Sequence, residues 1–322
     1  MNTDGSKNSR SGDAVLSGWR YRALVLSVLL AASGYLLFAA ISGWGEVTAA
    51  ILQVGVHGLL VALVLSLVNY GLRFIRWQVY LAALGHGVPW KRSLRIYLAG
   101  FALTTTPGKA GEAFRGVLLK RHGVPYPDSF AAFLSERLSD LIAIVLLALV
   151  GLVLYPGATP LILVGASLVL VLLVLLSQPS WIERMQRYTP TPRRLQKWVG
   201  YGFEIQLQAS RCNRAKTLMV ATALGLIGWA AEGFAFFLIL HWMGQEVTIV
   251  FALFVFAISM LAGALSLTPG GLGSTEGVMV GLLLWHGVPL PEATAATLLI
   301  RATTLWFAVM LGSAALIRLK TR

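Results

Sequence analysis

Nine charged side chains stand inside or beside long apolar runs: Lys109, Glu112, Arg115, Glu136, Arg137, Asp140, Glu232, Glu276 and Arg301. A lone charge in hydrocarbon costs roughly several kcal/mol, so each must face a polar interior and meet a partner. Glu136 and Asp140 are one helical turn apart, with Arg137 adjacent. Such a set has two uses. It locks helices through static ion pairs, or it lines a path for an anionic headgroup, with arginines as oxygen-binding donors. Helix N-termini beside Lys109 and Arg115 would suit a phosphate. A third chemistry, phosphoryl or glycosyl transfer at the membrane surface, has no GxSxG or aspartate-rich loop behind it. The five histidines form no HExxH and there are no paired cysteines, so no metal or cofactor is expected.

The elements that carry these residues belong to a membrane. The chain has 322 residues, of which 57% are hydrophobic and only 12% charged, and apolar runs of span length recur from end to end. The formal charge of +13 does not point to nucleic acid, because the basic residues gather at the ends of apolar runs. That is the pattern of cytoplasmic flanks touching anionic headgroups. One cysteine, Cys212, excludes an intrachain disulfide and reads as a cytosolic thiol in a basic loop.

Residues 1–18 read as a disordered cytoplasmic N-terminus, followed by an uncleaved first span at 23–41 rather than a signal peptide. A second span covers about 54–72, or continues toward Leu84, with Asn69, Arg73 and Arg76 on one face. Arg73 and Arg76 snorkel there, or the face contacts headgroups at the mouth of a cavity on the cytoplasmic side. Residues 96–105 are too few to span, and Pro107, Gly108 and Gly111 break them before a second short helix at 113–119. This reads as a re-entrant hairpin, with an interfacial helix pair as the competing arrangement. Full spans follow at 129–154, 161–176 and 217–240, with a basic cytoplasmic loop at 178–216 that holds an amphipathic helix. The run at 247–267 is long enough to span, yet ends at Pro269, Gly270 and Gly273 before another short helix at 277–285. A last span at 293–317 and a basic tail at 318–322 close the chain.

The order repeats. Thr106 and Thr268 open matching Thr-Pro-Gly turns 162 residues apart, while His122 to His286 and Arg137 to Arg301 are each 164 apart. The expected fold is therefore an all-α polytopic membrane protein built from two halves, 19–156 and 157–317, in inverted orientation. Each half has about three full spans and one re-entrant hairpin, with both termini in the cytoplasm and broken helices marking the binding site.

The segments Thr106-Pro-Gly-Lys-Ala-Gly-Glu112, Phe133-Leu-Ser-Glu-Arg-Leu-Ser-Asp140 and Thr268-Pro-Gly-Gly-Leu-Gly-Ser-Thr-Glu-Gly277, with Asn69-x-x-x-Arg73-x-x-Arg76-Trp77, carry a resemblance. Over about residues 20–317 the chain resembles the integral membrane family that includes the transmembrane region of lysylphosphatidylglycerol synthetases. The resemblance implies roles for Glu112, Arg115, Glu136, Arg137, Asp140 and Glu276. It does not extend to synthase activity, since the aminoacyltransferase domain of full-length members is not in this sequence. At the places matching Glu112 and Arg115 the second half has Ser274 and Gly277, so the halves are not chemically equivalent.

The expected function is a non-enzymatic lipid flippase or transporter-like protein of the plasma membrane, for an amphiphile with an anionic headgroup. A phospholipid, a glycolipid or a polyprenyl-phosphate-linked molecule all meet that description. The partners are anionic membrane lipids, and the oligomeric state stays open. The alternative is an accessory subunit holding a membrane enzyme, and third comes a membrane-embedded transferase.

Overall fold

The computed structural model describes residues 40, 43–106, 110–152, 156–178 and 193–320. The expected N-terminal tail, most of the first span, Pro107, Gly108, Lys109 and positions 179–192 of the basic loop lie outside these residues. Everything described is helix or turn, with no strand among the described residues. Helix α1, Trp44–Ala83, runs for 40 residues, which is about 60 Å at 1.5 Å per residue. It crosses a break at Gly55, whose φ of 63° and ψ of 179° suit only glycine. Because α1 continues well past Leu72, Asn69, Arg73 and Arg76 are not at a helix end. They are buried, at 1%, 5% and 0% exposure. The snorkelling arrangement is thereby corrected.

Helix α2, Trp90–Gly100, ends in a 3-10 turn, Phe101–Leu103, and the chain returns through a second 3-10 turn, Ala110–Phe114, into α3, Arg115–Lys120. At 11 and 6 residues neither arm is long enough to cross a bilayer. The hairpin is not spread on a surface. Tyr97, Phe101, Thr104 and Thr105 near its tip are all buried, which tells against the interfacial pair. Helix α4, Tyr126–Leu152, follows. The turn before it shows what His122-Gly-Val-Pro does. Gly123 adopts φ 80° and the Val124 N–H returns to the Leu119 carbonyl at 3.3 Å, a glycine helix stop. The copy at His286 repeats this, with Gly287 at φ 95° and Val288 N–H on the Leu283 carbonyl. At His86 the left-handed residue is instead Gly85, one place before the histidine. That third match is out of register, so its likeness is one of letters only.

Helix α5 is Thr159–Ser177, α6 is Arg193–Cys212 and α7 is Ala215–Trp242. The expected amphipathic helix in the basic loop is α6. It buries Ala209 and Cys212 against the protein and leaves Trp198 and Tyr201 exposed. Helix α8, Ile249–Leu265, has 17 residues, about 25 Å, short of a hydrocarbon core of about 30 Å. With α9, Ser274–Trp285, it forms the second hairpin. Helix α10, Leu290–Arg301, passes through a π-helical turn at Ala302–Trp306 into α11, Phe307–Lys320. Four segments among the described residues are long and apolar enough to cross a membrane: Trp44–Ala83, Pro156–Ser177, Ala215–Trp242 and Leu290–Leu319. The 27-residue α4 has the length as well, but Glu136, Arg137 and Asp140 dilute its apolar run.

Helices in lipid gain little from hiding apolar surface, so close approach through small residues must hold them together. Helix α1 packs along α7, where a Cβ on Gly225 would lie 2.8 Å from Arg76 Nη1 and one on Gly228 2.5 Å from Asn69 Oδ1. Glycine at both places leaves room for polar side chains between the helices. Helix α11 presses on the first hairpin, and the two hairpin tips meet: a Cβ on Gly270 would stand 3.5 Å from the Thr105 Cα. The largest core cluster includes Phe251, Phe254, Phe256 and Leu261 of α8, packed with α4 and α7.

Candidate functional site

Four arginines and three carboxylates from α1, the first hairpin and α4 converge in the interior. Arg76 Nη2 donates to Asp140 Oδ1 at 2.6 Å, and Arg115 Nη2 donates to Glu136 Oε2 at 2.9 Å. Arg137 Nη2 is 3.0 Å from Asp140 Oδ2 and 3.6 Å from Glu112 Oε2. Arg73 Nη2 lies 3.8 Å from both Glu112 and Glu136. Neutral groups complete the frame. Tyr97 donates to Glu136 and Thr104 to Glu112, each at 3.0 Å. The Arg115 guanidinium lies between the rings of Trp77 and Tyr97, at 4.6 and 4.8 Å from their centroids.

Arginine carries five N–H donors and no acceptor, so this set has more donors than its carboxylates can satisfy. Arg73 Nε and Nη2 and Arg137 Nε and Nη2 are buried without an acceptor at hydrogen-bonding geometry. Such atoms favour a ligand rich in oxygen acceptors. Both residues also line a cavity of about 260 Å³. Its lining includes the charged side chains of Arg73, Arg137, Asp140, Glu232 and Arg301 and the apolar ones of Leu168, Leu172, Met260 and Leu267. Leu168 and Leu267 are also 36% and 66% exposed, on the outside of the protein.

The second hairpin brings its own pair. Arg301 Nε donates to Glu276 Oε1 at 2.6 Å, and Arg301 Nη2 to the Gly270 carbonyl at 2.7 Å. Glu276 Oε2 accepts the Gly273 N–H at 2.7 Å and so caps α9. Glu276 and Arg301 are 25 residues apart, the same separation as Glu112 and Arg137. The counterpart of Glu112 by this measure is Glu276, and the match to Ser274 and Gly277 is corrected. The extra two residues fall in the turn, ahead of the glutamate, where a loop absorbs length without moving the helices.

Of the expected site residues, Glu112, Arg115, Glu136, Arg137 and Asp140 come together, and Arg73 and Arg76 join them from α1. Glu232 reaches the same cavity and accepts Asn69 Nδ2 at 2.5 Å. Arg301 lines the cavity with Glu276 behind it. The sequence reading missed Trp229, whose indole N–H donates to Asp140 at 3.1 Å, and Tyr70, whose hydroxyl donates to the Thr304 carbonyl. Trp229 stands one turn before Glu232, a spacing that would have flagged it. Nothing local marks Tyr97 or Thr104. No three His, Cys, Asp or Glu side chains among the described residues are grouped to hold a metal ion.

The family model described as lysylphosphatidylglycerol synthase TM region matches residues 24–312. A UPF0104 membrane protein of Methanothermobacter thermautotrophicus is 25% identical over 302 residues, 86% of this chain and 89% of that one. A UPF0104 membrane protein of Pyrococcus horikoshii is 23% identical, covering 81% of this chain and 87% of its own. One from Methanocaldococcus jannaschii is 25% identical over 66% of this chain and 92% of its own.

Proposed function

Because this chain belongs to the family of the lysylphosphatidylglycerol synthase transmembrane region, we propose that it binds an amphiphile by an anionic headgroup and carries that headgroup across the cytoplasmic membrane. The tails stay in lipid and no catalytic step is involved. The observation that carries this reading is a cavity whose lining combines Arg73, Arg137 and Arg301 with apolar side chains, of which Leu168 and Leu267 are also exposed on the outside of the protein. Its volume of about 260 Å³ is below the roughly 300–1,000 Å³ of pockets that enclose whole small molecules. It suits a headgroup whose tails lie outside. The two short-armed hairpins, meeting at Thr105 and Gly270, support an inverted repeat in which the halves open to opposite faces in turn. A protein that only holds a partner enzyme has no use for buried arginine donors beside a cavity.

The test is transport by Arg137→Gln in vesicles carrying a fluorescent short-chain phosphatidylglycerol, with leaflet exchange followed by quenching from outside. Arg137 has 19% side-chain exposure and edges the cavity, so the variant should insert normally and slow exchange at least about tenfold, the cost of one charge-assisted contact. Exchange at the wild-type rate would refute the reading.

A further inference from the structure

The two Glu–Arg pairs with equal spacing are not in the same condition. Glu276 and Arg301 are hydrogen-bonded at 2.6 Å, whereas Glu112 and Arg137 stand 3.6 Å apart. Both members of the looser pair are held elsewhere, Arg137 by Asp140 at 3.0 Å. Arg115 holds Glu112, through Nη2 to the carboxylate at 3.2 Å and Nε to its carbonyl at 3.0 Å, and Thr104 holds the other carboxylate oxygen. The position 164 residues after Arg115 is Met279, fully buried and unable to compete for Glu276.

We propose that the pairs have different jobs. Arg137, relieved of Glu112 by Arg115, is the arginine that first receives the headgroup. Arg301 is a latch that the bound headgroup must draw away from Glu276 and the Gly270 carbonyl. This rests on the headgroup-transport reading. Arg137 and Arg301 line one cavity, so a headgroup on the first is within the space that the second borders. Release of Arg301 removes the side-chain tie to the Gly270 carbonyl. Three residues before Gly270, Leu267 is held at φ 53°, a strained backbone for a branched residue; it lines the cavity and is 66% exposed. Freeing the turn lets Leu267 relax, and the wall it forms moves with it. Transport selectivity then follows from geometry: only a headgroup with oxygens enough for both arginines opens the latch.

Glu276→Gln tests this directly, because a glutamine oxygen still accepts the Gly273 N–H while the charge opposing release of Arg301 is gone. Purified Glu276→Gln protein should bind a short-chain phosphatidylglycerol about tenfold more tightly than wild type, the worth of one charge-assisted bond. A cysteine at Leu267 in the same background should react faster with a thiol reagent. Arg115→Met should act in the opposite direction, weakening binding, because Glu112 becomes free to take Arg137. Arg115 is buried between two rings and its loss threatens folding, so Glu276→Gln decides. Equal affinity of wild type and Glu276→Gln, with binding lost in Arg137→Gln, overturns the latch and leaves the transport reading standing. Equal affinity of wild type and Arg137→Gln overturns the transport reading, and the latch with it.

Discussion

Glu136 lies 2.9 Å from Arg115, 3.6 Å from Arg76 and Arg137, and 3.8 Å from Arg73, and it is fully buried. Removing its charge leaves four guanidinium groups facing one another with two carboxylates. Breaking a buried pair from one side costs roughly 3–5 kcal/mol, so Glu136→Gln should fail first in folding. Its melting temperature in detergent should drop by many degrees. Arg137, next in sequence, has 19% side-chain exposure and leaves Asp140 still paired with Arg76, so Arg137→Gln should melt closer to wild type than Glu136→Gln does while losing transport. Two neighbours in one helix therefore report on different properties. Similar melting of both variants would show that the network is not centred on Glu136.

At the scale of elements, packing depends on glycines that have no room to grow. A Cβ on Gly312 of α11 would fall 2.2 Å from the Ala102 backbone nitrogen of the first hairpin. The hairpin cannot yield without moving its tip. Gly312→Ala should destabilise by about 1–3 kcal/mol through overpacking. Gly281 of α9 has nothing within 4 Å, and Gly281→Ala should be neutral or stabilise by up to about 1 kcal/mol through helix propensity. Thermal unfolding of the two variants checks the contrast, and equal behaviour would mean that α11 does not clamp the hairpin. The turns differ as well. A side chain at Gly111 would meet Leu103 and Thr106 within 3 Å, while one at Gly273 would meet open space but a φ of 84°. The first forbids bulk and the second forbids a conformation.

For the whole molecule, orientation follows from where basic residues end up. Segments near Gly45, Gly157 and Trp285 carry no Lys or Arg, whereas Arg92 and Lys120 are exposed near basic ends of short helices. Single cysteines at the first three should label from outside with an impermeant reagent, and those at Arg92 and Lys120 only after permeabilisation. Trp285 is preferred to Gly287, whose φ of 95° would strain a cysteine. The native chain supplies a silent background. Cys212 is buried and its thiol is pushed up to about 12 by burial, so it stays protonated and unreactive at neutral pH. Labelling of position 285 only from the cytoplasmic side would remove the inverted repeat.

Much of this architecture was legible one residue after another. Lengths of apolar runs marked the helices, because hydropathy sums over a local window and asks nothing of distant residues. The glycine and proline of the HGVP turns marked helix ends, because a helix stop is made within a few residues. Charges inside apolar runs announced a polar interior, because lipid tolerates no other outcome. Partners were another matter. Asn69 finds Glu232 across 163 residues, and Arg76 finds Asp140 across 64. The match between the halves turned on a carboxylate whose counterpart is told only by the arginine it meets. Those pairings depend on how α1, α4, α7 and two hairpins pack, and on glycines that let helices close to contact distance. An ion pair is a fact about space, and only the tertiary structure decided which carboxylate each arginine meets.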